Sequence, residues 1–134
     1  MTNKELIEAE IETYLQSYTH HKLYEPIKYL LQLNGKRIRP SLLLDSTSIF
    51  GGNIKEAMPI ALAVEVFHNF TLMHDDIMDN SSLRRGKPTV HEKWDVNSAI
   101  LSGDAMMIMA HQLIEKIQST QRMIGGLKRK LTNK

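Results

Sequence analysis

Apolar residues recur along this chain at intervals of three and four, the spacing that gathers them on one face of an α-helix. Ile7, Ile11, Tyr14, Leu15 and Tyr18 make the first stripe, and Thr2 followed three residues on by Glu5 has capping-box spacing, which predicts a helix over 3–18. His20-His21 reads as a break. Pro26 suits a first helical turn, Ile27, Leu30, Leu31 and Leu33 continue the stripe, and Asn34-Gly35 supplies a stop, giving a second helix over 25–34. Pro40 opens a third apolar segment, 41–50, closed by Gly51-Gly52. From 54 to 79 the pattern is long and helical. Ile60, Val64, Phe67, Phe70 and Met73 are expected to lie mostly inward there, with Pro59 placed to kink the opening turns.

Ser-Ser, Arg-Arg-Gly and Lys-Pro give 80–90 the chemistry of a loop, and a short helical turn is expected at 91–95. The last helix, about 97–119, is apolar almost all round at 105–110, which predicts that it lies inside the body, and Gly125-Gly126 is expected to break it. No alternating pattern marks a strand. The fold reads as all-α, with 1–115 as the helical body and 116–134 as the end of the last helix and a basic tail.

The chain has 134 residues, enough for one domain with a single core. Its net charge of +2 hides an asymmetry: 11 basic against 15 acidic residues over 1–115 leave −4, while 116–134 carries +6 with no acid. The tail lacks interleaved aromatics and reads as a solvated end, so neither a nucleic acid nor an anionic membrane is an expected partner. Cysteine is absent, which excludes disulfides, thiolate metal sites and cysteine nucleophiles. It also suits a reducing, cytoplasmic setting. Four glutamates in the first twelve residues do not make a secretory signal, and no apolar run approaches the ~20 residues of a transmembrane helix.

Chemistry concentrates in His68-Asn-Phe-Thr-Leu-Met-His-Asp-Asp-Ile-Met-Asp79. On a helix His68, Asp75 and Asp79 share one face, with Asp76 about 100° round it. Crowded carboxylates at a helix C-terminus repel one another and the dipole. Such a turn is either a solvated acidic end or a place where hard cations reverse the repulsion, Mg²⁺ taking its remaining ligands from water and phosphate. Two cation clusters flank it. Lys36, Arg37 and Arg39 lie just before a predicted helix N-terminus, where free N–H groups favour an anion, and Arg84-Arg85-Gly86-Lys87 follows the aspartates. Each alone is equally a solvated face or a set of ion pairs. Together they fit two diphosphates, one bridged by metal.

The ordered set Gly-Lys-Arg-Ile-Arg-Pro (35–40), His68, Asp-Asp-Ile-Met-Asp (75–79), Leu-Arg-Arg-Gly-Lys-Pro-Thr (83–89) and Leu-Ser-Gly-Asp (101–104) resembles the N-terminal part of trans-isoprenyl diphosphate synthases, also called polyprenyl synthetases. The resemblance covers about 25–115 and implies the first helices of an isoprenoid-synthase-type bundle. It also implies a magnesium-dependent head-to-tail condensation of isopentenyl diphosphate with an allylic prenyl diphosphate. On matching positions, Asp75, Asp76 and Asp79 would form the first aspartate-rich motif, with Asp75 and Asp79 holding Mg²⁺. Arg84 would contact the allylic diphosphate, and Lys36, Arg39, His68 and Arg85 the diphosphate of isopentenyl diphosphate. Phe70, five positions before Asp75, would act as a floor favouring products of the farnesyl to geranylgeranyl range, with Thr71 too small to add to it.

The resemblance further implies a homodimer or other self-association. Asn34 stands where the family carries a first glycine, and the family's second aspartate-rich motif has no counterpart here. The chain is therefore expected to be a truncated form, inactive alone. The alternative is a non-catalytic diphosphate-binding or regulatory subunit that pairs with a partner. Purified chain incubated with labelled isopentenyl diphosphate, an allylic diphosphate and Mg²⁺ is expected to yield no labelled prenyl product, and appearance of one overturns that expectation.

Overall fold

The computed structural model describes residues 1–18 and 21–132, with the side chains of 119–121, 124 and 128 outside the description. His20 of the predicted break and Lys134 of the basic end therefore lie outside the described residues, as does the Lys128 side chain. Six helices and one minimal hairpin follow in order: α1 (Asn3–Gln16), α2 (Glu25–Gln32), α3 (Ile38–Ile49), α4 (Ile54–Met78), β1 (Leu83–Arg84), β2 (Lys87–Pro88), α5 (Val90–Lys93) and α6 (Val96–Thr132). The fold is all-α, as the periodicity predicts. No helix of the described residues is long and apolar enough to cross a membrane.

Each helix begins for a local reason. At α1 the capping box forms in both directions, the Glu5 N–H donating to Thr2 Oγ1 at 3.2 Å and the Thr2 N–H to Glu5 Oε2 at 2.8 Å. Ile7, Ile11 and Leu15 are its buried face. Asn53 caps α4 by accepting from the Lys55 N–H at 2.9 Å. Helix α3 starts two residues before Pro40, earlier than the proline suggests. Arg37 sits at its N-cap in a left-handed conformation (φ 53, ψ 36) and turns the chain. Pro40 then falls in the first turn, where a missing N–H costs nothing.

Helix α4 runs through the middle of the molecule and packs most extensively against α6. Its buried face is Met58, Ala61, Leu62, Glu65, Val66, Asn69, Met73 and Asp76. The predicted inward stripe holds for Met73 and for Phe70, half-buried against the core, but not for Ile60 and Phe67, which are 38% and 45% exposed. The reason is that α4 is apolar on two faces, and periodicity alone does not say which of them meets the core. Helix α6 corrects the sequence expectation twice. It is half buried, with Ala99, Ser102, Met106, Met109 and Ala110 against the body and Leu101 and Ile108 exposed. It also runs unbroken through Gly125-Gly126, neither of which adopts a left-handed φ. Glycine lowers helix propensity but does not by itself stop a helix.

Close approach of α6 to α4 depends on small residues. A Cβ at Gly103 would run into the His74 imidazole, whose Nε2 lies 3.1 Å from the Ile100 carbonyl and 3.9 Å from Asp104 Oδ1. After α4, the segment expected to be loop contains the antiparallel pair β1–β2, in register Leu83 with Pro88 and Arg84 with Lys87. Arg85 (φ 53) and Gly86 (φ 77) occupy its two turn positions, the left-handed pair that matches strand twist in a two-residue hairpin. Two residues per strand carry no alternation to detect. The hairpin is tied down by Tyr29, whose hydroxyl donates to the Pro88 carbonyl at 2.7 Å, and by Thr89, whose Oγ1 donates to the Ser81 carbonyl at 2.8 Å.

Nothing lies within 4 Å of where a Cβ would stand at Gly125 or Gly126. Gly125→Ala with Gly126→Ala should therefore gain about 1 kcal/mol of helix propensity per residue. The expected readout is a stronger helical circular dichroism signal; an unchanged signal would mean that the helix does not pass these glycines.

Candidate active site

Four cationic or imidazole side chains singled out from the sequence, Lys36, Arg39, His68 and Arg85, line one cavity of about 290 Å³, together with Arg37 and Glu65. Four parts of the chain bring them there. Lys36 comes from the α2–α3 loop and Arg39 from the first turn of α3, His68 from the middle of α4, and Arg85 from the turn of the hairpin. Arg39 Nη1 donates to His68 Nε2 at 3.3 Å. The Arg85 guanidinium lies against bare backbone: its Cζ is 3.0 Å from where a Gly35 Cβ would sit, and its Nη1 donates to the Leu33 carbonyl at 3.4 Å. A side chain at position 35 would make the guanidinium give way by a few tenths of an ångström.

The cavity is electropositive, with Lys36, Arg39 and Arg85 exposed around half-buried His68. Burial, then Arg39, holds the His68 imidazole below its ordinary value of 6.5, so the ring is neutral at pH 7. Burial, then Arg37 and Arg84, also lowers the Arg85 guanidinium from its usual value. Cations gathered around one cavity favour a multiply charged anion. Arg37 departs from the sequence expectation of three cations open to a ligand. It is 2% exposed, with Nε donating to Glu8 Oε1 at 2.7 Å, Nη1 to Glu65 Oε1 at 2.9 Å and Nη2 to the Leu31 carbonyl.

The aspartates divide into two kinds. Asp76 turns inward, 4% exposed, and takes a bidentate pair from Arg84, Nε to Oδ2 at 2.7 Å and Nη2 to Oδ1 at 2.8 Å. That hydrogen bonding raises the Arg84 guanidinium further above its usual value. Asp75 and Asp79 are exposed and one helical turn apart; among the described residues neither carboxylate makes a hydrogen bond or close ion pair, and Asp75 adds its charge to the field at Arg84. Among those residues no three His, Asp or Glu side chains converge into a ready-made metal cage. Two uncommitted carboxylates at this spacing fit Mg²⁺, which binds through one or two protein carboxylates and completes its shell with water and phosphate oxygens.

Beside the cavity an apolar groove of about 480 Å³ runs between α4 and α6. Val64, Phe67, His68 and Thr71 line it from α4, Ala110 and Ile114 from α6, and Arg39 from α3. Phe70, expected as a floor, is not among the lining residues. It stacks edge-on behind Phe67 (centroids 5.2 Å apart) and against His74 (5.0 Å). Phe67 is thus the groove residue that periodicity assigned to the core. The signal that finds it is its place beside Val64, His68, Thr71 and Asp75, which share a face at intervals of four and three.

With His68 held below 6.5, protonation of the free protein is lost as pH rises past a midpoint lower than that of an exposed histidine. An anion bound in the cavity favours the imidazolium and raises the midpoint. Nuclear magnetic resonance of His68 is expected to show titration below 6.5 in the free chain and an upward shift on adding inorganic diphosphate. An unchanged midpoint would place the anion elsewhere.

A polyprenyl synthetase family model matches residues 20–133. The chain is 41% identical over 113 residues to a geranylgeranyl diphosphate synthase of Methanosarcina mazei, covering 84% of this chain and 35% of that protein. In structure it is similar to a geranylgeranyl pyrophosphate synthase (52% identity, TM-score 0.75, 87% of this chain and 37% of that one). It also resembles a geranylgeranyl pyrophosphate synthetase of the archaeon Geoglobus acetivorans (34% identity, TM-score 0.82, 95% and 43%). The chain spans about a third of the length of the curated relative. With its motifs in family order and its helices superposing on both structures, it belongs to the polyprenyl synthetase family.

Proposed function

We propose that this chain is the diphosphate-binding part of a prenyltransferase that condenses isopentenyl diphosphate with an allylic prenyl diphosphate. The observation that carries the reading is the spacing of two anion sites along α4. One is the cavity at His68; the other is the pair Asp75 and Asp79, whose first member is seven residues on, about 10 Å along the axis. A diphosphate in each, with the hydrocarbon parts in the apolar groove, would hold two substrates side by side.

In this reading Lys36, Arg39, His68 and Arg85 bind the diphosphate of isopentenyl diphosphate without metal. Asp75 and Asp79 hold Mg²⁺ against the allylic diphosphate; bound there, the ion would neutralise charge on that leaving group. Arg84, fixed by two bonds to Asp76, keeps Nη1 for a phosphate oxygen. As the allylic carbon–oxygen bond breaks and its electron pair leaves with the diphosphate, positive charge on the hydrocarbon is shielded from water by Val64, Phe67 and Thr71; the double bond of isopentenyl diphosphate then attacks to form the new carbon–carbon bond, and a proton passes to the departed diphosphate. Phe67 backed by Phe70 is a barrier in the groove and favours products of the farnesyl to geranylgeranyl range. The exposed apolar face of α6, including Leu101 and Ile108, fits a second copy of the chain.

Calorimetry separates the two anion sites. Metal-free diphosphate binding is expected to weaken tenfold or more in Lys36→Ala or Arg85→Ala, about 1.4 kcal/mol for each factor of ten. The gain in affinity on adding Mg²⁺ is expected to vanish in Asp75→Ala and Asp79→Ala while the metal-free component persists. Equal loss of both components in every variant would sink the two-site reading.

A further inference from the structure

Of the clustered cations at 36–39, Arg37 commits all three of its guanidinium nitrogens to protein acceptors, whereas Arg39 gives one to His68. Nε and Nη2 donate to Glu8 on α1, Nη1 to Glu65 on α4, and Nη2 also to the Leu31 carbonyl in the last turn of α2. One side chain thus joins three helices. Its backbone is left-handed, a conformation that a residue with a Cβ keeps only where its surroundings hold it. Two of the cavity's cations are its close neighbours in sequence, Lys36 adjacent and Arg39 two residues on. The carboxylate it grips, Glu65, lies one helical turn before His68.

We propose that Arg37 is a positioning residue for the diphosphate cavity, setting through Glu65, Glu8 and the Leu31 carbonyl where Lys36 and Arg39 stand relative to His68. The inference rests on the diphosphate-binding reading of that cavity. The same device recurs after α4: Arg84 grips buried Asp76 of α4, and its sequence neighbour Arg85 enters the cavity. Lysine cannot replace Arg37 in this role, because its ammonium is a single point and cannot span two carboxylates and a carbonyl as a planar fork does.

The test is metal-free calorimetry with inorganic diphosphate at low temperature, run on the full chain, Arg37→Lys and Leu15→Ala, with thermal midpoints measured alongside. Leu15 is a buried core residue of α1 outside the cavity, so its variant reports destabilisation alone. Arg37→Lys is expected to bind at least tenfold more weakly than the unaltered chain, with Leu15→Ala within twofold. Binding by Arg37→Lys within twofold overturns the inference, and so does parallel weakening in both variants. If the unaltered chain binds no diphosphate, the functional reading itself falls, and this inference with it. Should Arg37→Lys not fold, Glu8→Gln takes its place. That variant keeps the shape but weakens two of the four bonds; a threefold or greater loss supports the inference, and a smaller one overturns it.

Discussion

Two carboxylates of α4, Glu65 and Asp76, lie below the protein surface, and a buried carboxylate cannot remain charged without a partner. Each finds an arginine from a neighbouring loop: Glu65 takes Arg37, and Asp76 takes Arg84. Removing one member of such a pair leaves an uncompensated buried charge, which costs about 3–5 kcal/mol. The loops before α3 and after α4 are therefore held at fixed heights on the central helix. Everything electropositive in the site hangs from those two anchors, because the residues beside the anchoring arginines are the ones that line the cavity.

The same helix carries the other half of the chemistry. Two faces of α4 do different things: one packs into the core, and the other borders the apolar groove through Val64 and Phe67 and ends in the exposed Asp75 and Asp79. Such division needs a close neighbour on one side only. Small residues of α6 supply it, Gly103 making room for His74, while the groove face is left open enough for a hydrocarbon. The site is correspondingly asymmetric in charge: cations around His68, uncommitted anions near Asp79, and apolar side chains beside them. That separation keeps opposite charges from cancelling internally and leaves both ends able to take a ligand.

Much of this was legible in the residues. Capping at Thr2, Pro26 near the start of α2 and the three-and-four spacing located the helices to within a few positions, since each depends on local backbone chemistry. The motifs marked Lys36, Arg39, His68 and Arg85, and the structure gathers them in one cavity. Phe67, the hairpin and the course of α6 were not legible. A helix apolar on two sides has no sequence mark for which side is covered, two-residue strands have no period, and a glycine pair stops a helix only when the chain must turn there.

Arg37 shows where the boundary falls. Sequence by itself determined that cations, aspartates and apolar stripes exist at helical spacings, because those are properties of neighbours along the chain. It could not say that the middle cation of three would turn inward while Lys36 and Arg39 face a cavity. That outcome depends on half-buried Glu8 and buried Glu65, both distant in sequence, lying beside it. Which charge is structural and which is available to a ligand is set by desolvation, and only the packed tertiary structure decides what is desolvated.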